Sequence, residues 1–316
     1  MLPSDLPDEE MDKFIKRPLD HWIPALEAIA HEASIADSSF RRFYHSQVFQ
    51  AGDLVIKLRP PRNRRSVIRE EHVLGSLPDL PVETPSVVAS GDMDEWRWLV
   101  TTRVHGRELS EWRLPGLWGE LSNEDRLPIV EGLAKVASVL HDHPTSDLDS
   151  ELLNASRRKS GPSIESIVEE YAQSSQVPQV LCSDLAGFLE SEAQSDRHAV
   201  LLHNDFRGGN LAVDLQGSRY RLSAIFDFED AGIGPAEADL IGVLIGFFEA
   251  QSTLVDRFMN TYASNRGLDV KRLQCGLLSR LLRRESLDDV SSRVRLGDFR
   301  TWEDVGAHLF PCMQED

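Results

Sequence analysis

The chain has 316 residues, 41% hydrophobic and 27% charged, with a formal net charge of −18. That balance describes a globular protein able to bury a sizeable core, and its acidity argues against nucleic acid or anionic membranes as partners. No apolar run reaches the roughly 18 residues of a membrane span, and the acidic start "MLPSDLPDEEMDKF" lacks a signal-peptide layout. Cys182, Cys275 and Cys312 are odd in number and without metal-ligand spacing, so they read as reduced thiols of a cytoplasmic protein and argue against zinc.

In chain order, "DHWIPALEAIAHEASI" (20–35) has helical spacing with Asp20 as a candidate N-cap. "FYHSQVFQAGDLVIKL" reads as strand, turn and strand, and "RRSVIREEHVLGSL" returns to helical spacing. "PVETPSVVAS" and "EWRWLVTTRV" are strand-like, so the first hundred residues combine a small sheet with one inserted helix. After Gly106 the pattern is helical: "NEDRLPIVEGLAKVASVLHDH", "SIESIVEEYAQ" and "LCSDLAGFLESEA" are amphipathic helices. One hairpin interrupts them, Leu211–Val213 and Tyr220–Phe226 about a turn at Gln216–Gly217–Ser218, and helices resume from Asp239. The expected class is α+β, a small sheet-and-helix lobe before a larger helical one.

Chemistry concentrates in "LLHNDFRGGNLAVD" (201–214). Asp205 and Asn210 have the D-x-x-x-x-N spacing of a kinase catalytic loop, where the Asp accepts a hydroxyl proton and the Asn amide oxygen ligates Mg²⁺. Gly208 and Gly209 offer freedom to turn between them. The hairpin returns the chain to "AIFDFED", bringing Asp227 beside the loop as a charged ligand for a hard cation. Glu229 and Asp230 fit a solvated turn as well as a site. Lys57 ends the apolar strand "DLVIKL", an awkward place for a charge without a partner, and Glu70 on the following helix can supply one. Glu71 falls on another helix face.

"HNDFRGGN" with "IFDFEDAGIGPAEADL" resembles the signature of aminoglycoside phosphotransferases and the related choline/ethanolamine kinases, which share the protein-kinase-like fold. "VIKL", "REEHVLGSL", "WLVTTRVHGREL" and "ASVLHDHP" follow the family's order, so the resemblance spans about Phe43 to Leu244. It implies a bilobal chain, with a nucleotide-binding lobe at 1–104 and a helical lobe at 105–316. These carry a catalytic loop at 203–210 and a metal-binding segment at 227–230. It further implies ATP or GTP as donor with Mg²⁺, Asp205 as base, Asn210 and Asp227 as metal ligands, and Lys57–Glu70 positioning phosphates. Residues 101–104 become the hinge, with backbone groups of Thr102 and Val104 reading the base, and Asp239 a buried brace of the loop. The chain departs from the family at Asn204, where Gly is usual, at Pro235–Ala236, and at "YHSQ", which replaces a glycine-rich loop near 43–47. Arg207 can neutralise the transferring phosphoryl group, and His203 can hydrogen-bond the loop.

The acceptor expected from charge is polycationic. Residues 105–200 hold 17 acidic against 8 basic side chains, and Glu165 and Glu169 share a helix face at i, i+4. Together with Asp230 these are the candidate acceptor contacts, and an aminoglycoside fits them. Choline or ethanolamine comes second, because a quaternary ammonium asks for an aromatic cage and the sequence beyond Glu229 offers a single Trp, Trp302, and no cluster of aromatics. A nucleotide-binding pseudokinase comes third, since the chemical positions are filled. No nucleic-acid or membrane partner is expected, and the chain is expected to be a monomer or weak dimer.

Overall fold

The structure, a computed structural model, describes residues 2–3, 6–36, 39–43, 47–110, 116–154, 162–194 and 198–312. Two helices open the chain, α1 (Asp8–Ile15) and α2 (Leu19–Glu32). A five-stranded antiparallel sheet follows, built from β1 (Phe40–Arg42), β2 (Val48–Ala51), β3 (Leu54–Arg59), β4 (Val87–Met93) and β5 (Trp96–Thr102), in the order β1-β2-β3-β5-β4. Helix α3 (Arg64–Leu74) is inserted between β3 and β4.

Strand periodicity decides what each sheet face does. Ile56 and Leu58 of β3, with Trp96, Trp98 and Val100 of β5, alternate onto one face and form a core with Phe14, Trp22 and Leu26 of α1 and α2. Lys57 and Arg59 therefore point to the opposite face.

The larger part begins with β6 (Arg107–Glu108), α4 (Gly116–Glu120), α5 (Asn123–Asp142), α6 (Ser150–Asn154), α7 (Ile164–Ala172) and α8 (Gln179–Gln194). Next come β7 (Val200–Leu202), the hairpin β8 (Leu211–Gln216) and β9 (Arg219–Ile225), and β10 (Gly232–Gly234). Helices α9 (Glu237–Ile241), α10 (Ser252–Arg266), α11 (Val270–Leu282), α12 (Leu287–Arg293) and α13 (Trp302–Leu309) complete it. Their core runs from Leu109 to Phe310 and takes in Val73 of α3. No helix among the described residues is long and apolar enough to cross a membrane, and all three cysteines are free.

Several expectations need correction. Helix α1 was not foreseen, and α2 starts after Pro18 with no side-chain cap, so Asp20 lies in its first turn rather than capping it. Residues 81–86 form no strand; only Glu83 makes a lone parallel bridge, to Ala224. The aromatic cluster thought absent exists: Trp118, Phe247, Phe248, Phe258 and Tyr262 pack in sequence with centroids 4.6–6.0 Å apart. Four of those rings, Phe247, Phe248, Phe258 and Tyr262, lie in one stretch of sequence, and Trp118 joins them only in the fold. Part of the "YHSQ" stretch, residues 44–46, lies outside the described residues.

Candidate active site

On the inner face of β3, Lys57 Nζ donates to both oxygens of Glu70 at 2.8 and 2.7 Å and to Asp227 Oδ1 at 2.8 Å. Glu229 Oε1 is 3.4 Å away. Glu70 reaches Lys57 because Val67, Glu70 and Val73 share the buried face of α3, while Glu71 on the next face pairs with Arg97 at 2.6 Å. Three carboxylates thus crowd within 4.8 Å around Lys57, with Arg59 the second cation. One negative charge is left over. Burial holds Lys57 down, but Asp227, Glu70 and Glu229 outweigh it and raise its ammonium above the ordinary value. Burial likewise pushes the carboxyls up; for Asp227 the pull of Lys57 wins and brings it down to about 2. Burial, aided by Glu229 and Asp227 and opposed by Lys57, pushes Glu70, 1% exposed, up to about 7.

Asp227 is brought here by the hairpin. Leu211 pairs with Ile225, and Phe226 N–H donates to the Asn210 carbonyl at 3.1 Å, so Asn210 and Asp227 lie at the same end of the ladder. Asp227 turns the chain through left-handed backbone (φ 69°), a conformation Asp tolerates better than most residues. The same reason accounts for Asn204, at φ 63°.

In the loop, Asn210 Nδ2 donates to Asp205 Oδ2 at 2.8 Å and to the Asp205 carbonyl at 2.9 Å. That fixes the amide so that its oxygen, the better metal ligand, is turned away from Asp205. Arg207 pairs with the same Oδ2 at 3.0 Å while its side chain stays 49% exposed. Gly208 is needed for space, not for conformational freedom: a Cβ there would collide with the Ser110 hydroxyl and press on Phe247. At Gly209 a Cβ would meet only ordinary contacts.

The loop is braced from below. Asp239, buried, accepts from His203 N at 2.8 Å, Asn204 N at 2.5 Å and His141 Nε2 at 3.2 Å. Tyr262 Oη bonds His141 Nδ1 at 2.7 Å and itself accepts from Arg266 at 2.5 Å. Sequence reading missed this relay, although a histidine on the buried face of α5, after Leu133, Ala137 and Leu140, is a signal that a partner is needed. His203 packs between Phe206 and Phe228. Its Nδ1 accepts from Asp205 N at 3.2 Å, so Nε2 carries the proton and donates to the Phe226 carbonyl at 3.1 Å.

Burial lowers the His203 pKa below its ordinary value against the pull of Asp239. As pH falls through about 6.5 the unfolded chain gains a proton that the folded chain refuses, so His203 costs stability on the acid side. Thermal unfolding from pH 7.5 to 5.5 should show a shallower acid decline in His203→Asn than in the unchanged protein. Equal slopes would refute the assignment.

The remaining sequence candidates are more dispersed. Thr102 ends β5; its N–H donates to the Ser86 carbonyl and its hydroxyl accepts from the Ser86 N–H (2.9 Å each), so of its backbone groups the carbonyl is the candidate reader of a base. Val104 follows β5 in a half-buried connection. Exposed Asp230 accepts at its carbonyl from Asn204 Nδ2 at 3.0 Å. Glu165 and Glu169 are exposed on α7, which packs on α8, and among the described residues no hydrogen bond or ion pair joins them to the loop.

Residues 34–273 match the family described as phosphotransferase enzyme family. The chain belongs to that family. Its fold is that of the protein-kinase-like aminoglycoside phosphotransferases. The streptomycin–ATP ternary complex of APH(2'')-IIa superposes with a TM-score of 0.52 at 15% identity, covering 91% of this chain and 97% of that one. The GDP complex of aminoglycoside 2'-phosphotransferase-IIIa gives 0.53 at 17%, covering 91% and 99%. No curated protein matches the sequence.

Proposed function

We propose that this phosphotransferase moves the γ-phosphoryl group of ATP or GTP, with Mg²⁺, onto a hydroxyl of a small cationic molecule, an aminoglycoside first. The observation that carries the reading is the convergence of Asp205, Asn210, Asp227 and the Lys57–Glu70 pair at one end of the hairpin. Similar proteins holding streptomycin with ATP, or GDP, support the donor and acceptor classes.

Residues 101–104 then serve as hinge between lobes 1–104 and 105–316, with the Thr102 carbonyl and Val104 backbone reading the base. Lys57, set by Glu70, orients phosphates. The Asn210 amide oxygen and ionised Asp227 form a hard oxygen donor set that fits Mg²⁺, which when bound supplies charge neutralisation between phosphates. Asp205 takes the acceptor's proton, and Arg207, half in solvent, neutralises the moving phosphoryl charge. Asp230, Glu165 and Glu169 attract the cationic acceptor.

One observation favours a second acceptor class. Phe247, half-buried, lies against Gly208 of the catalytic loop, with the Trp118 ring 4.6 Å from it. An aromatic face there suits choline or ethanolamine.

A panel of aminoglycosides, choline and ethanolamine separates the two. Aminoglycoside KM should rise steeply from low to physiological salt, because exposed charge pairs are screened over about 8–10 Å. Glu165→Gln with Glu169→Gln should raise acceptor KM and leave nucleotide KM unchanged. Efficient choline turnover with no aminoglycoside phosphorylated would overturn the first choice.

A further inference from the structure

Glu229 lies two residues beyond Asp227, where another carboxylate could add an oxygen to a metal. Its side chain is already engaged. Arg59 grips it in a two-pronged pair, Nη2 to Oε1 at 2.6 Å and Nε to Oε2 at 3.1 Å. Ser66 Oγ donates to Oε2 at 2.9 Å, and Arg69 Nη1 donates to the Glu229 carbonyl at 2.7 Å. Both oxygens are thus engaged from β3 and α3. The two side chains are only 15% and 16% exposed. Arg59 also reaches the Gln47 carbonyl at 3.3 Å, just before β2.

We propose that Glu229 is a positioning residue rather than a metal ligand: clasped by Arg59 and Ser66, it pins the segment after Asp227 to β3 and α3. A metal ion at Glu229 would have to share its carboxylate with the Arg59 guanidinium and with Lys57 Nζ 3.4 Å from Oε1, or displace Arg59 and strand a buried cation, which is costly. Held as it is, it fixes where Asp227 meets Lys57, and so where nucleotide phosphates are received. That last consequence rests on the phosphotransfer reading; the clasp itself does not. Arg59 was legible in the sequence only as the i+2 neighbour of Lys57 on the same strand face.

The test is a cycle of Arg59→Met, Glu229→Gln and the double variant. It is read in nucleotide KM, in the Mg²⁺ concentration for half-maximal rate, and in thermal unfolding without nucleotide. Each single change should raise nucleotide KM about tenfold or more, and the double should be no worse than the worse single. The Mg²⁺ requirement should stay within about twofold throughout. The proposal is overturned if Glu229→Gln raises the Mg²⁺ requirement about tenfold while Arg59→Met leaves it alone, or if the two changes simply add. Should the unchanged protein bind no nucleotide, the phosphotransfer reading fails, and coupling in the unfolding midpoints alone decides the clasp: coupled midpoints support it and additive ones sink it. If Glu229→Gln does not fold, Glu229→Asp, one methylene short of Arg59, takes its place in the cycle.

Discussion

Replacing Asp205 with alanine should lower kcat by about 10²–10⁴-fold, the usual worth of a positioned general base, while nucleotide affinity stays nearly intact. The structure gives the reason for the second half. Asn210 Nδ2 donates to the Asp205 backbone carbonyl at 2.9 Å as well as to its carboxylate, so the amide keeps its orientation when the side chain is removed. Asp227→Asn should do the reverse and remove the Mg²⁺-dependent part of nucleotide binding. Asparagine is the suitable replacement because it tolerates the left-handed backbone at φ 69°, where alanine would add strain. Binding titrations with and without Mg²⁺ separate the two. If both variants lose nucleotide affinity equally, the division between base and metal ligand is wrong.

The second large effect belongs to a residue that touches no reactant. Asp239→Ala should cost on the order of 3–5 kcal/mol of stability, as when one partner of a buried charged network is removed. It strands the N–H groups of His203 and Asn204 and the His141 ring nitrogen, all facing a carboxylate with no exposure of its own. Urea midpoints measure this, and kcat should fall with them because the loop carrying Asp205 loses its brace. A loss under about 1 kcal/mol would mean the relay from Arg266 through Tyr262 and His141 is ornamental.

The extent to which the site could be read in advance follows from sequence distance. Asp205, Asn210 and Asp227 were legible because a short loop and one hairpin fix their register. Lys57 and Glu70 were legible because a charge in an apolar strand demands a partner and α3 follows within a few residues. The brace was half visible: Asp239 came from the family resemblance, whereas Tyr262 stands 121 residues from His141 and no local pattern links them. Glu229 fitted a solvated turn as well as a site because its partners, Arg59 and Ser66, are more than 160 residues away. The fold followed the same rule. Periodicity located β2, β3, β5, α5 and the hairpin but not β1, while α1, short and acidic, declares itself only through Met11 and Phe14 buried against the sheet. The aromatic cluster escaped because Trp118 of α4 joins the rings of α10 and of the π-helical turns Gly242–Phe247 after α9 only in the fold.

The central claim is a transfer of phosphoryl to an external hydroxyl by Asp205 and its Mg²⁺-dependent partners. The most direct measurement follows γ-³²P from ATP and from GTP onto a panel of aminoglycosides, choline and ethanolamine, with Mg²⁺ and with EDTA. Label should appear on a cationic acceptor with Mg²⁺, disappear with EDTA, and disappear in Asp205→Ala. Nucleotide binding without label on any acceptor, or label transfer that survives in Asp205→Ala, would contradict the account.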